Sequence, residues 1–320
     1  MIETILIFTS VILLMLAAQH SAKHRWLRWL TLIALLLLGV AVAGIGLLLW
    51  RTPQQVAGIL SPEHYTSMVV VFLLVSLIIL LPTSLAARAW LRGQSPVLQG
   101  VFWTEPPFLA SWTLMTLFIG GNFAMTAIAE PETISLDKPL QLLFVQDLSF
   151  VALAMVGVGW GSHRHWPQVA RRLGIRPLRI TDLLVGGVMA LAMLVATALI
   201  SGILMLIFGQ ELTDASSFNQ QIIQQLPGIG GILLMGLLTG VGEEFLFRGA
   251  LQPVLGIWLT SFLFALSHIQ YLNPAILVIF VLGLFLGYSR NKWGLLTAVW
   301  THAVYNSLVA LLVLAAMQLS

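Results

Sequence analysis

A small set of ionisable and amide side chains interrupts the apolar runs in the last quarter of the sequence. Glu243, Glu244, His268, His302 and Asn306 all lie within such runs. An ionisable group inside a membrane-spanning segment costs several kcal/mol unless it faces a cavity or a partner, so each is a functional hypothesis. Carboxylates and imidazoles are also common general acids and bases. The chemistry they indicate is proton transfer at a bound reactant.

Helical spacing separates the two adjacent carboxylates. Glu244 and Arg248 are four residues apart, so they share a helix face and are expected to form an ion pair. Glu243 lies about 100° around the helix and has no cation in register. We therefore predict that Glu244 is an orienting carboxylate and that Glu243 is the free one. Gly240 and Gly242 would let a neighbouring helix or a substrate backbone approach closely beside it.

Two further pairs repeat the spacing of four. Phe264 and His268 share one helix face, and His302 and Asn306 share another. Hydrogen-bond donors from a histidine and an asparagine, aimed at a common point, can stabilise a developing oxyanion. Hydrogen bonding between helices is the alternative interpretation for the second pair alone. The presence of such residues on three separate segments favours a shared site.

The elements that carry these residues must be transmembrane helices. The chain has 320 residues, 59% hydrophobic and 8% charged, with a mean hydropathy of +0.97. A soluble domain has about 25% charged residues, so that class is excluded. The absence of cysteine excludes thiol nucleophiles and thiolate metal sites.

Runs of about 18 to 25 apolar residues predict an all-α polytopic membrane protein, a bundle of about 8–10 transmembrane helices with a polar cavity in its C-terminal half. The candidate spans are 4–19, 29–50, 68–87, 108–129, 140–161, 183–208, 229–248, 253–269, 275–289 and 294–317.

Basic residues fall almost entirely in alternate loops. Of the 15 Lys and Arg residues, only Arg51 and Lys138 lie in the opposite set of loops. Cytoplasmic loops are enriched in Lys and Arg, so the first set is predicted to be cytoplasmic. We expect an integral protein of a bacterial cytoplasmic (inner) membrane, with its N-terminus outside and its site open to the cytoplasm. Topology explains the sequence pI near 9.6, and no nucleic-acid partner is needed.

The sequence divides at its longest basic stretch. We predict an N-terminal membrane region at 1–161 of about five helices, whose function is unknown. A basic cytoplasmic loop follows at 162–182, and a catalytic membrane domain at 183–320 holds nearly all of the intramembrane polarity. The loop is interpreted as a topology determinant, with binding of anionic lipid headgroups as the alternative.

Helix length predicts an irregular turn between two of the spans. A straight span 253–269 would place His268 about 22 Å from the cytoplasmic surface at 1.5 Å per residue. Glu243, however, is only five residues from Arg248. Either Arg248 is buried well below the surface, or the segment 249–256 turns within the protein. We favour the turn, because irregular backbone is tolerated where it lines a cavity.

Two polar residues on the earlier helices belong to none of these pairs. Asp147 and Asn122 are interpreted as a polar contact between helices, in preference to a role at the site.

Three motifs resemble those of a known family. Glu243-Glu244 with Arg248, Phe264 with His268, and His302 with Asn306 resemble, in order, the EExxxR, FxxxH and HxxxN motifs of the CPBP family. This group, also called the Abi domain, includes CAAX proteases and bacteriocin-processing proteins, described as glutamic intramembrane endopeptidases. The resemblance covers roughly 182–320.

The resemblance implies a metal-independent peptidase without a cofactor. Glu243 and His268 would bind and activate water, with Glu243 as general base, and His302 and Asn306 would form the oxyanion site. Glu244, Arg248 and Phe264 would support them. The implied partner is a membrane protein or peptide substrate, lipidated or not, in the lipid bilayer.

Three alternatives use the same residues. Glu243, His268 and His302 are a ligand set that suits zinc, which would give a metal-dependent protease, although the HExxH pattern is absent. A transporter could use them as a proton relay, but the first half of the chain has no matching polar set. A non-catalytic membrane regulator or immunity-type protein could bind a partner through the same cavity.

Overall fold

The fold is all-α, as the sequence predicts. A computed structural model describes residues 2–21, 23–51, 62–91, 106–128, 139–209, 220, 222–268 and 274–319. No strand occurs in these ranges. The helices are α1 Ile2–His20, α2 Arg25–Arg51, α3 Pro62–Leu91, α4 Pro106–Ile128, α5 Pro139–Gly157, α6 Trp166–Leu173, α7 Ile180–Phe208, α8 Gly228–Glu244, α9 Gln252–Leu266, α10 Ile276–Trp293 and α11 Leu295–Leu319, with a π-helical segment Phe245–Leu251 between α8 and α9.

The described helices include six candidate membrane spans, as judged by length and composition. They are Arg25–Arg51, Tyr65–Ala87, Ile180–Phe208, Gly228–Leu266, Ile276–Trp293 and Leu295–Leu319. Three shorter apolar helices accompany them, at Thr9–His20, Pro107–Gly121 and Leu143–Gly157. The protein is therefore an integral membrane protein. The three shorter helices, together with one run that contains two of the predicted spans, account for the ten spans predicted.

The two predicted spans 229–248 and 253–269 form one helical run of 39 residues, Gly228–Leu266. Regular α-helical geometry is lost twice along it. The π-helical segment follows Glu244 directly, and Gly256 has φ 75° and ψ 170°, a backbone conformation that favours glycine. Arg248 is also fully buried. The backbone of this segment is thus irregular, as predicted, whereas the depth of Arg248 below the membrane surface stays a prediction.

The chain forms two compact units. The first comprises Met1–Ile134 with Gly161–His163, and the second comprises Ser135–Trp160 with Arg164–Ser320. Helix α5 thus packs with the second unit. The predicted division at 162–182 concerns function and stays a prediction.

Helices α1 to α4 build the first unit. Helix α2 packs against α3, and α4 packs against α3 and α1. Its core includes Leu32, Leu35, Ala86 and Leu109, which are all buried.

Helix α8 is the centre of the second unit. It packs against α11 on one side and α5 on another, while α11 also packs against α7 and α10. Helix α9 packs against α10. A core cluster fills the end of the unit where α5, α6 and α11 meet; its members are Ala154, Val158, Val169, Leu173, Leu295 and Val299.

Two glycines on α8 set its close approach to α11. A Cβ added at Gly240 would lie 2.9 Å from both the Ala303 amide nitrogen and the Val299 carbonyl oxygen. One added at Gly236 would lie 2.7 Å from the Ala303 carbonyl oxygen. Small residues allow such backbone contact between membrane helices. The contact brings the end of α8 against the middle of α11.

Substitution at this crossing is expected to destabilise the protein. We expect Gly240→Ala to lower the free energy of unfolding by about 1–3 kcal/mol, because the new methyl group overlaps backbone atoms that cannot move independently. Thermal unfolding in detergent micelles would measure the change.

Gly230→Ala on the same helix is the matched control. No atom lies within 4 Å of a Cβ added there, so its stability should be unchanged or slightly higher. Equal loss in both variants would show that helix crossing is not the cause.

Candidate active site

The ion pair predicted between Glu244 and Arg248 is present. Arg248 Nε donates to Glu244 Oε2 at 3.2 Å, and both side chains are fully buried. The pair spans the junction between α8 and the π-helical segment. The guanidinium also lies over the Phe264 ring, with Cζ 4.9 Å from the ring centroid. Charge and aromatic contact together fix the position of Arg248.

The second oxygen of Glu244 holds a histidine. His302 Nδ1 lies 3.0 Å from Glu244 Oε1. Because a carboxylate only accepts hydrogen bonds, this contact places a hydrogen on Nδ1 and turns Nε2 the other way. A carboxylate that orients a histidine in this manner is a common feature of catalytic sites. Glu244 thus contacts both Arg248 and His302, and its predicted role as a structural or orienting carboxylate stays a prediction.

Glu243 faces two imidazoles without bonding to either. Its Oε2 is 3.6 Å from His268 Nε2 and 3.9 Å from His302 Nε2, and this oxygen has no hydrogen-bond partner in the described part of the chain. Glu243 as a whole is 7% exposed. The side chain that the sequence predicts to be the free carboxylate is buried beside both histidines.

The backbone of α9 orients His268. Its Nδ1 lies 2.8 Å from the Phe264 carbonyl oxygen, which can only accept, so Nδ1 carries a hydrogen and Nε2 is the nitrogen turned toward Glu243. The Phe264 ring packs beside the imidazole with centroids 4.6 Å apart. Phe264 thus contacts both Arg248 and His268.

Asn306 bonds to a residue that sequence reasoning missed. Its Nδ2 donates to Thr239 Oγ1 at 2.9 Å, and the Thr239 hydroxyl donates back to the Met235 carbonyl oxygen of its own helix at 3.1 Å. One N–H of the Asn306 amide is left over. Thr239 precedes Glu243 by four residues and so shares its helix face, which is the sequence pattern that could have identified it.

A family model matches this part of the chain. The model is described as type II CAAX prenyl endopeptidase Rce1-like, and it covers residues 225–308. Residues 225–308 are similar to the Rce1-like family. This Rce1-like segment is narrower than the range 182–320 expected from the motifs, but it contains all three of them.

One relative extends the comparison. The chain is 33% identical over 109 residues to the uncharacterized protein YpbD of Bacillus subtilis, and the alignment covers 32% of this chain. It covers 56% of YpbD, so the chain spans little more than half of that relative. No solved structure matches the chain.

Asp147 lies beside the Rce1-like segment but outside it. A Cβ added at Gly242 would lie 2.6 Å from the Asp147 Cα, so α5 makes the close approach that this glycine was predicted to allow. Asp147 is 2% exposed, and neither carboxylate oxygen has a hydrogen-bond partner among the described residues. No hydrogen bond among the described residues supports the polar contact expected for Asp147, and that interpretation stays a prediction. The Asn122 side chain lies outside the described residues.

A metal centre is the alternative use of the Rce1-like site. Among the described residues, no group of three or more His, Cys, Asp or Glu side chains is arranged to hold a metal ion. The close atoms are instead paired, His302 with Glu244 at 3.0 Å and His268 with Glu243 at 3.6 Å.

Proposed function

We propose that the protein is a glutamic-type intramembrane endopeptidase that hydrolyses peptide bonds of a membrane-associated or lipidated protein or peptide. The observation that carries the proposal is the buried carboxylate of Glu243. Its Oε2 lies 3.6 Å from His268 Nε2 and has no hydrogen-bond partner among the described residues. A carboxylate in that setting is suited to accept a proton from water. The similarity of residues 225–308 to a family of endopeptidases supports the same conclusion.

Glu243 and His268 would share the attacking water. Both present acceptors, the carboxylate through Oε2 and the imidazole through Nε2. A water molecule has two hydrogens to donate, so it could be held by both groups while its oxygen points at the substrate. As that oxygen bonds to the scissile carbonyl carbon, Glu243 takes one proton. The same proton passes to the leaving nitrogen when the C–N bond breaks.

His302 and Asn306 would stabilise the oxyanion. Asn306 has one amide hydrogen beyond its bond to Thr239, and it can donate this hydrogen directly. His302 already uses Nδ1 toward Glu244, so it can donate from Nε2 only when both ring nitrogens carry hydrogen. The two donors are therefore not equivalent, and Asn306 requires no change of protonation.

The membrane would supply the substrate. Peptide bonds in a membrane helix are hydrogen bonded within the helix, so the substrate must be locally unwound to reach Glu243. The asymmetry of Lys and Arg predicts a site that opens to the cytoplasm. The family description names prenylated CAAX ends, the lipidated C-terminal sequences that such enzymes cut. A lipidated C-terminus is the first substrate class to test.

Cleavage of a defined probe tests the proposal. We expect the full chain, reconstituted in liposomes, to cleave an internally quenched farnesylated peptide that ends in a CAAX sequence. The same peptide without the lipid measures the contribution of the anchor. If neither peptide nor the membrane proteins of a host cell are cut, the protein is not an endopeptidase, and the regulator interpretation takes its place.

Metal removal separates the two protease mechanisms. We expect EDTA treatment followed by gel filtration to leave the cleavage rate unchanged, because the proposed chemistry needs only side chains and water. Elemental analysis of the same sample would accompany the assay. A rate that falls on EDTA treatment and returns on addition of zinc would contradict the metal-independent mechanism.

A further inference from the structure

Two arginines from outside the motifs bind the backbone of the π-helical segment. Arg172, on α6, donates from Nη1 to the Gly249 carbonyl oxygen at 3.3 Å and from Nη2 to the Ala250 carbonyl oxygen at 3.4 Å. Arg290, on α10, donates from Nε to the Arg248 carbonyl oxygen at 3.1 Å. Three consecutive carbonyl groups are therefore bonded by guanidinium groups from two other helices.

The sequence explains why two of these three carbonyl groups, those of Arg248 and Gly249, need outside donors. In a π-helix, an N–H donates to the carbonyl five residues earlier, as Gln252 does to Phe247. The next residue is Pro253, which has no N–H. It can supply neither the π-helical bond to Arg248 nor the α-helical bond to Gly249. Arg290 and Arg172 donate to these two carbonyl groups.

The π-helical segment carries the support of the candidate site. Arg248 lies in its middle, and the Arg248 side chain bonds to Glu244, which in turn orients His302. Glu243 lies two residues before the segment begins. A shift of this backbone would therefore move the orienting pair and the proposed base together. A misplacement of about 1 Å can cost an enzyme about 100-fold in rate.

The loop after α6 keeps Arg172 in place. Arg176 donates two hydrogen bonds of 2.6 Å to the Asp182 carboxylate and a third to the Trp293 carbonyl oxygen at 2.9 Å. These bonds tie the loop to the start of α7 and the end of α10. These bonds thus restrain the loop that directly follows the helix carrying Arg172.

The clustering of these cations has a cost that the carbonyl groups offset. Burial, followed by the like charges of Arg164 and Arg290, lowers the pKa of Arg172. An arginine remains charged at neutral pH even so. Arginines that served only to set the topology would extend into solvent, away from one another. Arg172 is instead half-buried against backbone carbonyl oxygens.

We propose that Arg172 and Arg290 are positioning residues for the candidate site, which bind the carbonyl groups that Pro253 leaves without donors and so fix the segment that carries Arg248. The expected effect on the cleavage rate rests on the proposed peptidase function. The role of the two arginines in holding the π-helical segment does not rest on it. It also gives a role to the predicted cytoplasmic loop 162–182, to which Arg172 belongs.

Arg172→Ala is the kinetic test, with Arg171→Ala as its matched control. Arg171 is the neighbouring, exposed arginine of the same helix, and its loss changes the net charge equally. On the farnesylated peptide, we expect Arg172→Ala to lower kcat about 10- to 100-fold with little change in KM, since Arg172 binds the protein backbone. Arg172→Lys and added guanidinium chloride should each restore part of the rate. Arg171→Ala should match the wild type.

Amide hydrogen exchange tests the same proposal without any activity. We expect faster exchange in residues 245–251 of Arg172→Ala, measured by mass spectrometry in detergent, with α11 unchanged. Arg172→Lys provides the comparison if the alanine variant fails to fold. Arg172 and Arg171 variants that agree in both kcat and exchange would overturn the proposal. Wild-type protein that cleaves nothing would refute the peptidase function instead, and the exchange result would still decide the role of Arg172.

Discussion

Glu243→Gln is expected to lower kcat/KM by about 10²- to 10⁴-fold, the usual contribution of a general base. Glutamine keeps the size and hydrogen-bonding oxygen of the side chain but cannot accept a proton from water. The loss should appear mainly in kcat, because the variant still offers the same shape to a substrate. Cleavage of the farnesylated peptide by reconstituted wild-type and variant protein would measure it.

The fold of the Glu243→Gln variant is expected to survive. Oε2 of Glu243 has no hydrogen-bond partner in the described part of the chain, so replacing it with an amide group breaks no hydrogen bond of that oxygen. The unfolding midpoint in detergent should therefore stay close to that of the wild type. Full activity in the purified variant would refute the assignment of Glu243. A cellular phenotype that persists after cleavage is lost would favour the non-catalytic regulator.

Local spacing was sufficient to predict contacts within one helix. Glu244 and Arg248 are four residues apart, and the fold keeps them bonded even though the intervening backbone turns from α-helical to π-helical. Side chains at this spacing lie on the same face in any nearly regular helix. The free position of Glu243 follows from the same geometry.

Contacts between helices could not be predicted in this way. The bond between His302 and Glu244 depends on how far α8 slides along α11, and two glycines set that register by their backbone contacts. The bond between Thr239 and Asn306 depends on the same crossing, and the position of Asp147 depends on the crossing of α5 with α8. Hydrophobic periodicity carries no information about it, because helices in a membrane are apolar on every face.

The basic residues show a different limit of sequence reasoning. Their distribution predicts topology, which is a statistical property of whole loops and gives no role to any one arginine. The contacts of Arg172 and Arg290 become apparent only when the carbonyl groups before Pro253 are traced to their donors. A proline at such a junction therefore leaves carbonyl groups four and five residues earlier that need hydrogen-bond donors from other helices.

Arg248→Met is expected to lower the free energy of unfolding by about 3–5 kcal/mol, the usual cost of leaving one partner of a buried ion pair without its counter-charge. Glu244 would keep only the contact with His302 in a fully buried position. Methionine still fills the space beside Phe264, so loss of packing contributes little. Thermal unfolding in detergent micelles would measure the change.

The double variant Glu244→Gln, Arg248→Met separates charge from shape. Nη1 and Nη2 of Arg248 have no hydrogen-bond partner in the described ranges, so desolvation of the native guanidinium is only partly compensated. Removing both charges should therefore recover much of the stability that Arg248→Met loses, as with other buried pairs replaced together. The glutamine introduced at position 244 would still accept a hydrogen bond from His302 but would carry no charge, so activity should stay low while the fold returns. A double variant no more stable than Arg248→Met would mean that the pair contributes through packing, and its charge would then have no part in holding His302.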